Sequence, residues 1–301
     1  MTASTSPPTS GTAAPQSLRL PDGRRVAIHR LAEGSGRTIV LCHAAPGAGT
    51  FDPDPPATAR RDVTLLAIDR PGYGGSDPVG GDGFATVDGA ARDIVAVLDD
   101  RGIERVSVAG WSAGGRIALA LAARYPDRVD RIAVAATPAP NEAVPWVPAE
   151  QQAGLDALRD QPAAAVHAAL GGMLEAIIPT DPSSDAALEL IGGRHGNGEI
   201  LEQADVRERL ATMFAAAFAQ GATGMVQDIA GYGIRPWGFE PREVTAKTLL
   251  VYGSADAIGS HHGRWWQRHL PDARLEMTPG VGHLVVVSRW SRILAHLAPG
   301  R

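Results

Sequence analysis

Cysteine is almost missing from this chain: Cys42 is the only one in 301 residues. That excludes an internal disulfide and gives no sign of an oxidising compartment. Cys42 ends the apolar run "TIVLC" and is expected as a small core residue, not a catalytic thiol. Basic excess is missing too. With a net charge of −5 and no Lys/Arg run interleaved with aromatics, nucleic acid is not an expected partner. No apolar run approaches the roughly 18 residues of a membrane span. The opening "MTASTSPPTSGTAAPQS" has neither the basic start nor the apolar stretch of a signal peptide. Residues 1–17 therefore read as a disordered tail, and the protein as cytoplasmic with no membrane partner. There is no G-x-x-x-x-G-K-[ST], no G-x-G-x-x-G after a first strand and no H-E-x-x-H. Phosphate-loop, dinucleotide and zinc-peptidase chemistry lose their signatures, and no cofactor or metal is expected.

What is present is ordinary globular material. Hydrophobic residues at 44% and charged residues at 20% suit one large domain with a sizeable core. From Leu18 to about Ala136, β-like runs ("RRVAIHRL", "TIVLC", "VTLLAID", "RVSVAG", "DRIAVAAT") alternate with helical stretches. The helix over 86–102 shows Val87, Ala90, Ala91, Ile94, Val95 and Leu98 at helical spacing, with Gly102 as its stop. Such alternation predicts an α/β class: a mostly parallel central sheet with helices on both faces. The first runs, with no helix between them, are expected to pair antiparallel at one edge. A Pro-rich linker begins near "TPAPNEAVPWVP", everything from about Glu150 to Gly231 reads as Ala-rich helix, and "RPWGFEPREV" is a second linker. Strands and helices then resume with "KTLLVYG" and end in a single helix expected from about Leu284 to Leu297. The predicted organisation is a core over 18–139 and 240–301 with an inserted helical cap over 140–239. No internal repeat is visible.

The stretch "VAGWSAGGRIALALA" (108–122) places Ser112 among Gly110, Gly114 and Gly115, between a strand and a helix. Two readings compete. Glycines at a strand-to-helix turn can admit phosphate oxygens to a helix N-terminus. They can also permit a turn so sharp that the central hydroxyl is thrust into the open, as in the G-x-S-x-G nucleophile elbow. A serine nucleophile needs a base and an acid that orients it. In the chain order Ser, Asp/Glu, His, "LLVYGSADAIGS" supplies Asp256 after a strand, and "MTPGVGHLVVV" supplies His283 in a glycine loop. Alone, Asp256 also suits a helix N-cap, and His283 an ordinary loop histidine. All three in order and in matching contexts argue for a catalytic triad. Glu142 is the spare acid. His43 is expected to anchor its loop, Asp69 and Arg70 to hold a turn, and His261 and His262 to begin a surface helix.

The segments "LCHAAPGAG", "DRPGYGGSD", "GWSAGG", "YGSAD" and "PGVGH" together resemble the α/β-hydrolase fold superfamily, of the bacterial type with a helical cap. The resemblance covers nearly all of the chain past the tail. It implies an oxyanion hole made by the backbone N–H groups of Ala113 and Ala45. Relatives usually carry glycine where Ala44 stands, so Ala44 is the other candidate for the second donor. The expected activity is a cofactor-free serine hydrolase that cleaves a carboxylic ester or related acyl compound of a small, apolar molecule. Trp111, Trp146, Met213 and Phe214 are expected to contact substrate, with Met173, Leu174 and Phe218 as further apolar candidates on the cap. Position 112 lacks the aspartate nucleophile expected of epoxide hydrolases and haloalkane dehalogenases. C–C bond hydrolase, lactonase, peptidase, perhydrolase or lyase chemistry on the same triad remain alternatives, as does a non-catalytic ligand-binding member of the fold.

Overall fold

The protein is described by a computed structural model over residues 15–300. Its strands are β1 (Gln16–Arg19), β2 (Arg25–Ala32), β3 (Thr38–Cys42), β4 (Thr64–Ile68), β5 (Val106–Trp111), β6 (Val129–Ala135), β7 (Lys247–Gly253) and β8 (Ala273–Thr278). They form one sheet in the order β1-β2-β4-β3-β5-β6-β7-β8. From β4 through β3 to β8 every pairing is parallel, while β2 runs antiparallel to both β1 and β4. The α/β class is therefore as expected from the alternation of elements.

Period-two alternation along the central strands splits the core in two. Ile39, Leu41, Leu65, Ala67, Ala109, Trp111, Ala133, Ala135, Leu249 and Val251 point to one side. Their neighbours Val40, Cys42, Ile68, Val106, Val108, Ile132, Val134, Leu250 and Tyr252 point to the other. A strand buried on both faces reads as a continuous apolar run, which is why "TIVLC" and "KTLLVYG" carry so little polarity.

Helices cover both faces. On the first lie α1 (Pro55–Arg61) and, at the C-terminus, α11 (Val285–Ser288) and α12 (Trp290–Leu297); on the second lie α2 (Val87–Asp100), α3 (Ala113–Arg124) and α10 (Ser260–His269). The Thr86 hydroxyl caps α2 by accepting the Gly89 N–H at 3.0 Å, and Gly102, at φ 62°, takes the chain out of it. Between β6 and β7 the described chain forms α-helices α4 (Ala149–Ala157), α5 (Ala163–Glu175), α6 (Asp185–Glu189), α7 (Gly198–Leu201), α8 (Ala204–Ala217) and α9 (Thr223–Asp228), the last continuing as a π-turn over Ile229–Gly233.

Three sequence expectations change. The first two long runs do not pair with each other: β4 lies between β2 and β3. β3 is buried along almost its whole length and belongs in the sheet interior, whereas β2 ends in half-exposed residues and tolerates the border of the parallel region. Gln16 and Ser17, assigned to the tail, form β1 and pair with Ile28 and Ala27. Polar, exposed residues on an edge strand carry no periodic signal, so composition alone misplaced them; residues 1–14 lie outside the described residues. Finally, the single C-terminal helix expected from Leu284 is broken at Arg289, which leaves helical torsions at φ −112°. Val285–Val287 and Trp290 are all buried on either side of that break. Among the described residues no helix is long and apolar enough to cross a membrane.

Candidate active site

β5 delivers its chain into a turn at Ser112, whose backbone stands at φ 54°, ψ −122°. This is strained ground for a residue with a Cβ. It persists because both flanks are fastened: the Ser112 N–H donates to Ala135 O at 2.8 Å, and Ser112 O accepts from Thr137 Oγ1 at 2.8 Å and from Gly115 N at 3.0 Å. The question posed by the glycines has a steric answer. A Cβ on Gly110 would stand 2.5 Å from Gly115 Cα, and one on Gly114 would stand 2.1 Å from the Cys42 carbonyl oxygen. The start of α3 is pressed between its own strand and β3. Gly114→Ala is thus expected to destabilise the protein by about 3 kcal/mol or more, because the obstruction is backbone and cannot swing aside. Gly154→Ala in α4, where an added Cβ meets nothing within 4 Å, should be neutral or stabilise by about 0.5–1 kcal/mol. Urea midpoints of the two variants check this, and equal shifts would remove the steric account.

After β3, Ala45 is half-buried beside the elbow, while Ala44 is fully buried with its carbonyl accepting from Arg70 Nη2 at 2.9 Å. His43 fixes this loop: its Nδ1 donates to Ala44 O at 2.8 Å and its Nε2 accepts the Arg70 N–H at 3.2 Å. Burial, then the Arg70 charge, holds the His43 imidazole neutral, well below its usual range. Arg70 ties the loop to α9 through Asp228 (2.6 Å), which also accepts from Tyr73 OH at 2.9 Å. Asp69 accepts from Gly49 N (2.7 Å) and Gly75 N (3.0 Å), closing the turns on either side. These groups hold the loops.

β7 and β8 bring the other two chemistry-bearing residues together. A Cβ on Gly253 would meet Val281 O at 2.0 Å, so the two loops can touch only because that residue is glycine. His283 Nδ1 lies 2.9 Å from Asp256 Oδ2, and Asp256 Oδ1 accepts the Ile258 N–H at 3.0 Å. A carboxylate can only accept, so Nδ1 carries the proton and Nε2 is left with its lone pair. Both side chains are nearly buried. The His283 loop is clamped from the helical segment, where fully buried Asn197 accepts the Leu284 N–H at 3.0 Å, and from below, where Trp111 Nε1 donates to His283 O at 3.1 Å. Asn197 had no sequence signal: the loop that its Oδ1 clamps lies 87 residues further along the chain.

Ser112, Asp256 and His283 all line one cavity of about 1510 Å³, together with Ala45 and Ala113. Each follows the C-terminal end of a strand, the edge where open α/β sheets put their sites. Among the described residues neither Ser112 Oγ nor His283 Nε2 is hydrogen-bonded. Glu142 lines the cavity without bonding to His283. The substrate-contact expectations need correction. Trp146 does line the cavity, 43% exposed, as do Met173 and Leu174. Trp111, Met213 and Phe214 do not: they are fully buried in one apolar core, where Trp111 packs on Phe51 at 5.6 Å. Phe218 packs against the same core. The apolar face of α8 is turned into that core instead of the cavity, a choice helical spacing alone cannot make. Leu155, Leu170, Ile191 and Ile229 supply the apolar lining instead.

Elsewhere, Cys42 is buried and its thiol is pushed up to about 12 by desolvation. His262 is buried and accepts the Ala139 N–H at 3.0 Å; burial lowers it to about 4. It therefore belongs to the packing under α10 and not to a surface. Among the described residues no three His, Cys, Asp or Glu are grouped to hold a metal ion. Arg116, which the sequence reading passed over, also lines the cavity. Its signal was available: it is the only charged residue between Trp111 and Ala123.

Comparison with known proteins agrees with this fold. Residues 37–289 match the family described as the alpha/beta hydrolase fold. The pimeloyl-[acyl-carrier protein] methyl ester esterase of Nitrosomonas europaea is 27% identical over 267 residues, covering 87% of this chain and 94% of that one. A 2-hydroxy-6-oxononadienedioate/2-hydroxy-6-oxononatrienedioate hydrolase of Paraburkholderia phymatum is 35% identical over 133 residues, which span 42% of this chain and only 46% of that relative. Among solved structures, a thermophilic esterase from Thermogutta terrifontis superposes with a TM-score of 0.66 at 20% identity over 94% of this chain and 96% of that one. On the match across most of its length, this chain belongs to the alpha/beta hydrolase fold family.

Proposed function

We propose that the protein is a serine hydrolase that cleaves a carboxylic ester or related acyl compound of a small molecule through an acyl-enzyme. The observation that carries this reading is the 2.9 Å bond from His283 Nδ1 to Asp256 in the cavity onto which the strained Ser112 turn opens. With Nδ1 engaged, His283 Nε2 takes the Ser112 proton as Oγ bonds to the substrate carbonyl carbon. The Ala113 and Ala45 N–H groups stabilise the oxyanion that forms. Collapse breaks the carbon–leaving-group bond, and His283 returns the proton to the departing alcohol. Water then adds to the acyl carbon by the same route and frees both acid and serine. Asp256 keeps the imidazole in the working tautomer and supports its charge.

The helices between residues 140 and 239 contribute most of the apolar lining and on this reading select the substrate, as a cap over the core. A second reading, hydrolysis of a carbon–carbon bond on the same triad, is favoured by the similarity to the dienedioate hydrolase. A panel of esters of graded acyl length, run against a 2-hydroxy-6-oxodienoate, separates the two. The nucleophile itself is tested by intact-mass spectrometry after treatment with a fluorophosphonate. One adduct is expected on the wild type and none on Ser112→Ala; an adduct that persists in the variant would assign the nucleophile elsewhere.

A further inference from the structure

Arg116 lies one helical turn beyond Ser112 on α3. Cα–Cβ bonds tilt toward a helix N-terminus, so the Arg116 side chain leaves α3 toward the end that follows Ser112. It lines the same cavity, yet is only 7% exposed. A guanidinium removed from water this far is ordinarily paired, because its desolvation is otherwise uncompensated. Arg116 is not. Among the described residues its guanidinium makes no ion pair and no hydrogen bond, and its Nε is fully buried without a partner.

The contrast with Arg70 is internal to the site. Arg70 is equally buried, but Asp228 and the carbonyls of His43 and Ala44 occupy its donors. Its charged form is accordingly favoured, whereas burial pulls Arg116 down to about 10. Asp228 cannot serve both, being held by Arg70 and Tyr73. Glu142 also lines the cavity but stands beyond ion-pair distance. What Arg116 does contact is aromatic: its Cζ lies 4.7 Å from the centre of the Trp237 ring and 5.7 Å from that of Trp146. Ring faces attract the charge but leave its five N–H donors unfilled.

We infer that Arg116 is the binding site for a carboxylate carried by the substrate, a short spacer away from the carbonyl that Ser112 attacks. The planar fork of donors matches the two oxygens of a carboxylate, and a dry, ring-lined position strengthens that pair relative to water. The inference rests on the hydrolase reading for the identity of the reacting carbonyl, but not for the binding itself. It narrows the substrate class from acyl compounds in general to monoesters of small dicarboxylic acids, or esters whose alcohol part bears the carboxylate. It also gives Trp146 and Trp237 a role as walls of the anion pocket.

Two ester pairs distinguish the source of the carboxylate: monomethyl glutarate against methyl valerate, and O-acetylglycolate against propyl acetate. The quantity read is the ratio of kcat/KM within a pair, compared between wild type and Arg116→Met, so that intrinsic reactivities cancel. For one pair this ratio is expected to fall about 100-fold, the scale of losing a desolvated, charge-assisted contact. Arg116→Lys, which keeps the charge without the fork, should fall in between and serves if the methionine variant does not fold. Isothermal titration of glutarate into Ser112→Ala protein reads the same site without turnover, and the double variant Ser112→Ala/Arg116→Met should bind at least about tenfold more weakly. Pair ratios unchanged by both Arg116 variants, or no Arg116-dependent glutarate binding, would overturn the inference. Arg116-dependent binding alongside ester cleavage that survives Ser112→Ala would instead overturn the hydrolase reading and leave the anion site standing.

Discussion

His283→Ala is expected to lower kcat on an acyl ester by about 10⁶-fold, the loss found when the base or nucleophile of a triad is removed. Without Nε2, the serine proton has nowhere to go as the Oγ–carbon bond forms. The hydroxyl then attacks at its own high pKa, and only the oxyanion donors and substrate positioning still help. These should keep the variant about 10³–10⁴-fold above water. The substitution is mild for the fold. The tie from Trp111 runs to the His283 backbone carbonyl, and the tie from Asn197 to the Leu284 N–H, so both survive in the variant. Stopped-assay kinetics with circular dichroism as a folding control make the test. A well-folded variant within about 100-fold of wild type would mean that another base serves Ser112.

Asp256→Asn should fold normally and lose about 10⁴-fold in kcat. Asparagine can keep the bond that Asp256 Oδ1 accepts from the Ile258 N–H. Its amide then offers an N–H to His283 Nδ1 where a carboxylate oxygen had been. The imidazole answers by moving its proton to Nε2, the nitrogen that must accept from serine. Nothing is lost from the active site except the right tautomer, so the fall should appear in kcat with little change in KM. Glu142→Gln is the control for the acid. Glu142 lines the cavity but does not bond to His283, so this change should leave the rate within about tenfold of wild type. If Glu142→Gln is the more damaging of the two, the acid has been misassigned.

Much of this site was legible before any coordinates, for a local reason. The Gly110–Gly115 cluster announces a turn whose clashes arise among neighbours in sequence, and the structure shows those clashes at Gly110 and Gly114. Asp256 and His283 could be named because each strand end is punctuated by glycine and the order of strand ends along the chain is readable from alternation. Helix limits such as Thr86 and Gly102 are likewise set within one turn of chain.

What the tertiary structure alone decided are the features whose partners are distant in sequence. β4 separates β2 from β3, and the edge strand β1 exists only because β2 offers it unpaired backbone groups. Met213 and Phe214 have the same apolar character as Leu170 and Leu174; their place in the buried core instead of the cavity depends on which way α8 rolls against its neighbours. Asp256 reaches His283 and Glu142 does not, which is set by the distance between loops and not by a property of either residue. Arg116 shows the division most clearly. Its sequence reveals a lone charge in an apolar helix, but that it is buried, lines the serine's cavity and lacks a partner among the described residues follows from the packing of β5, α3 and the tryptophans around it. Residue type and spacing encode what each segment can become, whereas solvent exclusion, which makes an arginine reactive toward an anion, is a property of the assembled fold.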